Sequence, residues 1–143
     1  SKFKKKVCMF KLNFASPERA VVTNQEMEEV TVPAFAGELN ILPGHSPLMT
    51  TLDAGILSYK LKDGKTYRAA ISWGYCQISA DGVNVLAENA AYANEVDVNT
   101  LKQHLKDNES KILNETLSDV DWKKANHEIA RLRAELDLLA GSK

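Results

Sequence analysis

The sequence predicts a β + α architecture: an antiparallel β-sandwich or flattened barrel, followed by an antiparallel two-helix hairpin. Up to about residue 95 the chain consists of short runs of β-branched and aromatic residues separated by turns, which is typical of many short strands. Beyond that point apolar residues recur three and four positions apart, as on one face of a helix. We therefore expect two domains, residues 1–95 and residues 96–143.

The β-domain opens with an alternating run over residues 7–14, which places Cys8, Phe10, Leu12 and Phe14 on one face. Further runs of strand-forming residues cover 20–23, 28–32, 55–62, 65–72, 73–80 and 83–87.

Two Asp-Gly pairs lie between neighbouring runs, one at Asp63 and Gly64 and one at Asp81 and Gly82. Because Asp-Gly tolerates the positive φ of a type I′ turn, both pairs predict tight hairpins. The alternation slips around residues 72–74, where a glycine inside a strand predicts a bulge or bend.

The C-terminal domain carries one narrow apolar seam per predicted helix. The seams comprise Val98, Leu101, Leu105, Asn108 and Ile112, and then Trp122, Ala125, Ile129, Leu132, Leu136 and Leu139. Asp97 and Ser118 are predicted N-caps, residues 117–120 the turn, and Gly141 the terminator. Such narrow seams bury little apolar surface between the two helices, so we expect the hairpin to pack against another surface or to move between surfaces. A fixed flank, packed permanently on the β-domain, is the alternative.

Composition narrows the classes of function. The chain has 143 residues, with 18 Lys and Arg against 19 Asp and Glu, and this balance argues against wholesale nucleic-acid binding. Residues 1–11 carry five basic residues and no acid, residues 12–96 five basic and ten acidic, and residues 97–143 eight basic and nine acidic. Cys8 and Cys76 are predicted to be buried free thiols, since two cysteines at this spacing form neither a disulfide framework nor a metal site.

No motif in the sequence predicts catalysis, a metal site or a cofactor. The three histidines fall in different elements, and His104 and His127 occupy polar helix positions where solvated surface residues are expected. His45, Ser46 and Asp53 are the one set of residues that could form a nucleophilic site. Because His45 and Ser46 are adjacent in a loop, their side chains are expected to point apart, which argues against such a site.

The segment AFAGELNILPGHSP is unusual because it combines apolar side chains with turn residues. One interpretation is a rigid loop that displays Leu42, with Glu38 or His45 at its polar tip, to a partner protein. The other is a long connector between two sheets that contributes Leu39 and Ile41 to the core.

The run GELNILPGHSPLMT, residues 37–50, closely resembles the GELGILPGHAPLLT signature of the epsilon subunits of F-type ATP synthases, called delta in mitochondria. Other matches follow in the family's order: SPER at 16–19 resembles its TPER turn, GIL at 55–57 its PGVL strand start, and SWGY at 72–75 with VNVLA at 83–87 its SGGFVEV…VTVLA hairpin. The change from strands to a helix hairpin is also the family's.

The resemblance implies a ten-stranded β-sandwich at the foot of the central stalk, which packs against the gamma subunit, rests on the c-subunit ring and turns with both. It implies no active site in this chain and a peripheral position on the cytoplasmic face of the bacterial inner membrane. It further implies a hairpin that can fold against the sandwich or extend along gamma toward the alpha/beta catalytic head, where in many bacterial members it restrains ATP hydrolysis. Glu38 and His45 match the docking loop at the ring-facing end of the domain, and Asn40 and Leu42 lie beside them.

The start of the hairpin departs from the family pattern. Several bacterial members bind ATP there through a motif written [IL]DxxRA; Asp97 matches it, but Thr100 stands where the motif has arginine. Without that guanidinium a phosphate loses its charge-assisted partner. ATP binding is therefore predicted to be weak or absent, and Asp97 is interpreted as a helix cap.

Basic hairpin residues are the candidates for inhibitory contacts with the beta subunit. They are Lys102, Lys106, Lys111, Lys123, Lys124, Arg131 and Arg133. Nine acids in the same segment balance them, so the sequence does not predict a strong electrostatic clamp. A solvated charged surface is the alternative for any one of them. The competing hypothesis for the whole chain is a free-standing small enzyme or ligand-binding β-sandwich that uses the His45 loop.

Overall fold

The computed structural model describes residues 9–141. The strands are β1 (Phe10–Ser16), β2 (Arg19–Ala34), β3 (Gly37–Ile41), β4 (Leu48–Leu52), β5 (Gly55–Leu61), β6 (Thr66–Ser79) and β7 (Gly82–Tyr92). A 3₁₀ turn (Ala93–Glu95) leads to α1 (Val98–Asn114) and α2 (Asp119–Ala140). This order confirms the predicted fold class. Val7 and Cys8, and with them the thiol prediction for Cys8, lie outside the described residues.

The strands form one sheet that closes on itself. β1 pairs antiparallel with β2 and parallel with β7, so the expectation of a wholly antiparallel sheet is wrong at one pair. β6 pairs first with β5 and then with β4, and β2 pairs first with β1 and then with β3 and β5. β7 pairs with β1 over its first half and with β6 over most of its length. The described residues thus form seven strands, roughly the number expected, because β2 and β6 each run as one strand through two successive sets of partners.

β2 is one continuous strand where the sequence predicted two, at residues 20–23 and 28–32. The chain bridges the gap because Asn24 takes a left-handed φ of 46° at a bulge opposite β1. The Asn13 side chain accepts a hydrogen bond from the Asn24 backbone N–H (2.9 Å) and donates one to the Asn24 side chain (3.2 Å). The Asn13 side chain thus takes the place of the backbone acceptor that the Asn24 N–H would have in a regular strand pairing.

The predicted bend at residues 72–74 is confirmed, although β6 continues through it as one strand. Trp73 takes a φ of 43° and Gly74 a φ of 159°. A Cβ atom at Gly74 would lie 1.9 Å from the backbone oxygen of Leu86. The close approach of β7 therefore requires glycine at this position.

Both predicted hairpins are present, but the predicted turn type is wrong. Neither Asp63 nor Asp81 is among the described residues with positive φ, which a type I′ turn needs at both central positions. The first turn closes at Leu61 and Lys65, whose backbone groups bond at 2.8 Å, and Gly64 takes the left-handed position with a φ of 88°. It is a three-residue hairpin loop.

The segment of residues 34–47 contains strand β3, so neither sequence interpretation of it is complete. Ile41 is buried and Leu39 packs against the core, as the connector interpretation expected. Leu42 is 50% exposed, as the loop interpretation expected. β3 and β4 were not predicted, because each is only five residues long and depends on partners that are distant in sequence.

The apolar faces of the strands meet in one core. Phe10, Leu12 and Phe14 are buried on one face of β1, as predicted. Cys76 is buried there as a free thiol, also as predicted, and burial raises its pKa to about 11. This thiol is therefore inert at neutral pH.

The hairpin begins and ends close to the predicted residues. The Asp97 carboxylate accepts hydrogen bonds from the backbone N–H groups of Asn99 (3.0 Å) and Thr100 (3.3 Å), which confirms it as the N-cap of α1. The Ser118 hydroxyl caps α2 by accepting from the Asp121 N–H at 3.2 Å. The connection covers residues 115–118, two residues earlier than predicted.

The predicted seam of α2 is only partly correct. Ala125, Ile129 and Leu132 are buried, but Trp122 is 52% exposed. Ala134 and Leu138, which lie outside the predicted seam, are also buried. α2 packs on two surfaces at once, α1 and the sheet, so it needs two apolar stripes rather than one.

No helix in residues 9–141 is long and apolar enough to cross a membrane.

Candidate docking and regulatory surfaces

The predicted docking residues are distributed along β3 and the loop after it. Glu38 is exposed near the start of β3, next to a turn that leaves Phe35 75% exposed. Asn40 is exposed on the same strand, and its side chain donates to the Thr31 hydroxyl at 2.9 Å. At about 3.3 Å per residue, Glu38 lies roughly 13 Å along the strand from Leu42. The structure therefore brings these residues to one edge of the sheet but not to one point.

The loop after β3 is held by its own backbone. The His45 N–H donates to the Leu42 carbonyl at 3.1 Å, and Gly44 takes a φ of 84° within this turn. Leu42 consequently projects from a fixed turn, as a docking residue would need.

The set of His45, Ser46 and Asp53 does not form a nucleophilic site. The His45 ring nitrogen lies 2.8 Å from the Ser46 backbone oxygen rather than its hydroxyl. Asp53 follows β4 while Ser46 precedes it, so the length of that strand separates them. Among residues 9–141, no group of three or more His, Cys, Asp or Glu side chains could hold a metal ion.

The basic candidates on the hairpin differ in how far they are engaged. The exposed lysines are Lys102, Lys106, Lys111, Lys123 and Lys124. Arg133 of α2 lies 3.4 Å from Glu109 of α1 and so joins the two helices. Arg131 is half-buried between Glu128, which it contacts closely, and Glu135 at 3.3 Å.

Arg131 is paired with acidic groups of its own helix. Its guanidinium holds the pKa of Glu128 below the usual range, while burial raises the pKa of Glu135. One cation thus meets two carboxylates on the same helix. In this conformation Arg131 is committed to intrahelical partners rather than to a phosphate or another subunit.

A bidentate ion pair, not anticipated from the sequence, fixes the junction between the domains. Arg19, at the start of β2, donates to both Glu95 carboxylate oxygens at 2.7 and 2.8 Å, and to the Ala90 carbonyl at 3.2 Å. Glu95 also accepts from the Tyr92 N–H at 2.8 Å. The Arg19 guanidinium lowers the pKa of Glu95. The 3₁₀ turn before the hairpin is therefore attached to the β-domain.

α2 packs on the sheet through a cluster of small and aliphatic side chains. Ala134 and Leu138 meet Ala70, with Ile56 and Ala93 at the margin of this cluster.

His127 is exposed, as predicted, but it also contacts the β-domain. Its ring stacks on Trp73 with a centroid distance of 4.3 Å, and its Nε2 lies 3.2 Å from Glu88. The isolated helical pattern could not reveal this, because both partners belong to the β-domain.

Comparison with known proteins places this geometry in a family. Residues 9–93 match the family "ATP synthase, Delta/Epsilon chain, beta-sandwich domain". The ATP synthase epsilon chain of Bdellovibrio bacteriovorus is 49% identical over 129 residues, which cover 89% of this chain and 91% of that one. The chain belongs to this family. The Brucella canis epsilon chain is 36% identical over 130 residues, 89% of this chain and 95% of the relative.

Family membership confirms that the chain is a non-catalytic rotor subunit of the ATP synthase, a membrane-associated complex. Two solved structures share the fold. A chain of the Euglena gracilis mitochondrial ATP synthase OSCP/F1/c-ring structure matches with a TM-score of 0.81 and 18% identity, covering 96% of this chain and 86% of that one. A chain of the Tetrahymena thermophila mitochondrial ATP synthase central stalk/c-ring structure matches with a TM-score of 0.64 and 12% identity, and the match covers 95% of this chain and 98% of that one.

Proposed function

We propose that the β-domain, residues 1–95, docks on the gamma subunit and the c ring and transmits rotation between proton flow and the catalytic head. The observation that carries this proposal is the closed sheet, with one edge left exposed at β3 and its loop. The sheet resists shear, because β1, β2, β5, β6 and β7 are each hydrogen-bonded to neighbours on both sides. A rigid body with one exposed edge suits a part that must transmit torque.

The edge formed by Glu38, Asn40, Leu42 and His45 is the proposed docking surface. Leu42 supplies an exposed apolar anchor, half of whose surface is accessible. Glu38 and His45 supply polar contacts to the loops of the ring, each worth about 1 kcal/mol or less because solvent screens them. Affinity then comes from several weak polar contacts together with Leu42, which becomes buried when the partner binds.

The hairpin, residues 96–143, is proposed to be a mobile regulatory element that restrains ATP hydrolysis. The apolar cluster between α2 and the sheet supports this, because it is separate from the much larger core of the β-domain and can open while that core stays closed. When it extends toward the alpha/beta head, the exposed lysines face the beta subunit. Acidic neighbours balance them, so we expect moderate rather than complete inhibition.

The finer location is also a proposal. The relatives named above belong to bacteria, which supports a peripheral position on the cytoplasmic face of the inner membrane, held there through the complex.

Capture of partners tests the docking surface. A tagged chain incubated with detergent-solubilised membranes should retain gamma, alpha, beta and c subunits. The double variant Glu38→Lys, Leu42→Asp should lose gamma and the c ring, while Leu113→Asp on the hairpin, where Leu113 is 81% exposed, should retain both. Equal retention by all three chains would contradict the assigned edge.

Removal of residues 97–143 tests the regulatory role. We expect ATP synthesis by the reconstituted complex to stay largely intact and ATP hydrolysis to rise. Unchanged hydrolysis would refute an inhibitory hairpin and leave the rotor role of the β-domain standing.

A further inference from the structure

Trp73 occupies a backbone conformation that large side chains avoid. Its φ of 43° is left-handed, in the region that favours glycine. Such a conformation persists only where the surroundings enforce it, and it often marks a functional position.

The indole of Trp73 is presented to α2. The His127 imidazole stacks on it at 4.3 Å between centroids, with 24° between the ring planes. The indole Nε1 is buried and has no hydrogen-bond partner within residues 9–141. The contact therefore uses the aromatic face of the indole rather than its N–H group.

The imidazole also reaches a carboxylate of the β-domain. His127 Nε2 lies 3.2 Å from Glu88 on β7. The His127 side chain is 43% exposed, so this contact is open to solvent.

We propose that His127, Trp73 and Glu88 form a proton-sensitive latch that holds α2, and with it the hairpin, on the β-domain. Histidine changes charge between about pH 5 and 8, and an imidazolium is attracted both to an indole face and to a carboxylate. Both attractions exist only while the hairpin is docked. Proton binding and docking therefore favour each other, so docking strengthens as pH falls and weakens as pH rises.

Charged groups surround the latch on three elements. They are Glu88 on β7, His104 on α1, and Lys123, Lys124, Glu128 and Arg131 on α2. Arg131 and Glu128 contact each other closely, and the lysines precede His127 by three and four residues on its own helix. These groups move with the hairpin, whereas Glu88 belongs to the β-domain. Glu88 is therefore the carboxylate whose attraction is lost on undocking.

The latch rests on the proposed mobility of the hairpin, but it can be tested on the isolated full chain. Failure of the latch would leave the proposed regulation of hydrolysis intact. Conversely, a hairpin without inhibitory effect in the assembled enzyme could still show proton-linked docking.

Amide hydrogen exchange followed by NMR, corrected for intrinsic exchange rates, tests the latch. In the native chain we expect α2 amides to be about fivefold better protected near pH 5.5 than near pH 8, relative to β-strand amides. His127→Gln should abolish this difference, and Glu88→Gln should reduce it. His104→Gln, which removes another hairpin imidazole, should preserve it. A pH difference that survives His127→Gln, or none in the native chain, would overturn the proposal.

Trp73→Gly separates the latch from general stability. Glycine relieves the left-handed backbone at this position, so the β-strand amides should keep their protection. The α2 amides should lose protection near pH 5.5, to the level of His127→Gln. Full α2 protection in this variant would contradict the role of the indole.

Discussion

The β-domain and the hairpin are stabilised by very different amounts of buried apolar surface. The β-domain encloses large side chains, among them Phe14, Met27 and Leu57, in one core within a closed sheet. The hairpin meets that domain through a cluster centred on Ala70, Ala134 and Leu138. The β-domain has a large core of its own, whereas the hairpin shares a smaller apolar cluster with the sheet. This difference is what the proposed movement of the hairpin requires.

The largest expected effect is in the core of the β-domain. Phe14→Ala should reduce the free energy of unfolding by about 3–5 kcal/mol, because the ring is fully buried and its loss leaves a cavity. Urea denaturation measures this. Phe35→Ala is the matched control: Phe35 is 75% exposed, and its truncation should change stability by less than about 0.5 kcal/mol. Similar losses from both variants would contradict the core assignment.

A regional effect is expected at the junction. Leu138→Ala should lower the free energy of opening of α2 by about 2–3 kcal/mol, since Leu138 is 1% exposed. Hydrogen exchange should show faster exchange in α2 and unchanged exchange in β6 and β7. Leu113→Ala, at an 81% exposed position, should leave both unchanged. Loss of protection throughout the β-domain would show that the two regions are one cooperative unit.

A smaller effect is expected at the start of α1. Asp97→Ala should destabilise the helix by about 1 kcal/mol, because two backbone N–H groups lose their acceptor. Asp97→Asn keeps a capping oxygen and should cost a few tenths of that. Helicity from circular dichroism and α1 amide exchange measure the difference. Equal losses would show that the carboxylate charge, rather than capping, matters here.

No effect is expected from ATP. Thr100 offers no guanidinium, and Arg131 is occupied by Glu128 and Glu135. Millimolar ATP should leave the melting temperature of the isolated chain unchanged in a thermal-shift measurement. An increase of several degrees would show that ATP binds despite Thr100 at the arginine position of the motif.

The two regions also differ in how well the sequence predicts them. Local signals were sufficient for the buried face of β1 at Phe10, Leu12 and Phe14, and for the helix caps at Asp97 and Ser118. These local signals did not predict conformations that depend on a partner distant in sequence. Asn24 bends β2 because Asn13 lies opposite it, and no alternation in either run encodes that pairing.

The candidate surfaces follow the same division. The edge from Glu38 to His45 could be located from its sequence signature, but strand β3 within it depends on pairing with β2. The contacts of α2 with the sheet could not be predicted, since a helix that packs on two surfaces has two apolar stripes and no single clear periodicity. For that reason Leu138 was not assigned to the seam, and the contacts of His127 with Trp73 and Glu88 were missed.

Hydrogen exchange of the native chain tests the central claim most directly. If the hairpin is a separate, weakly held element, α1 and α2 amides should exchange through openings that leave the β-strand amides protected. The free energy of these openings should be well below that of global unfolding. Exchange of helices and strands with one common free energy would contradict the account.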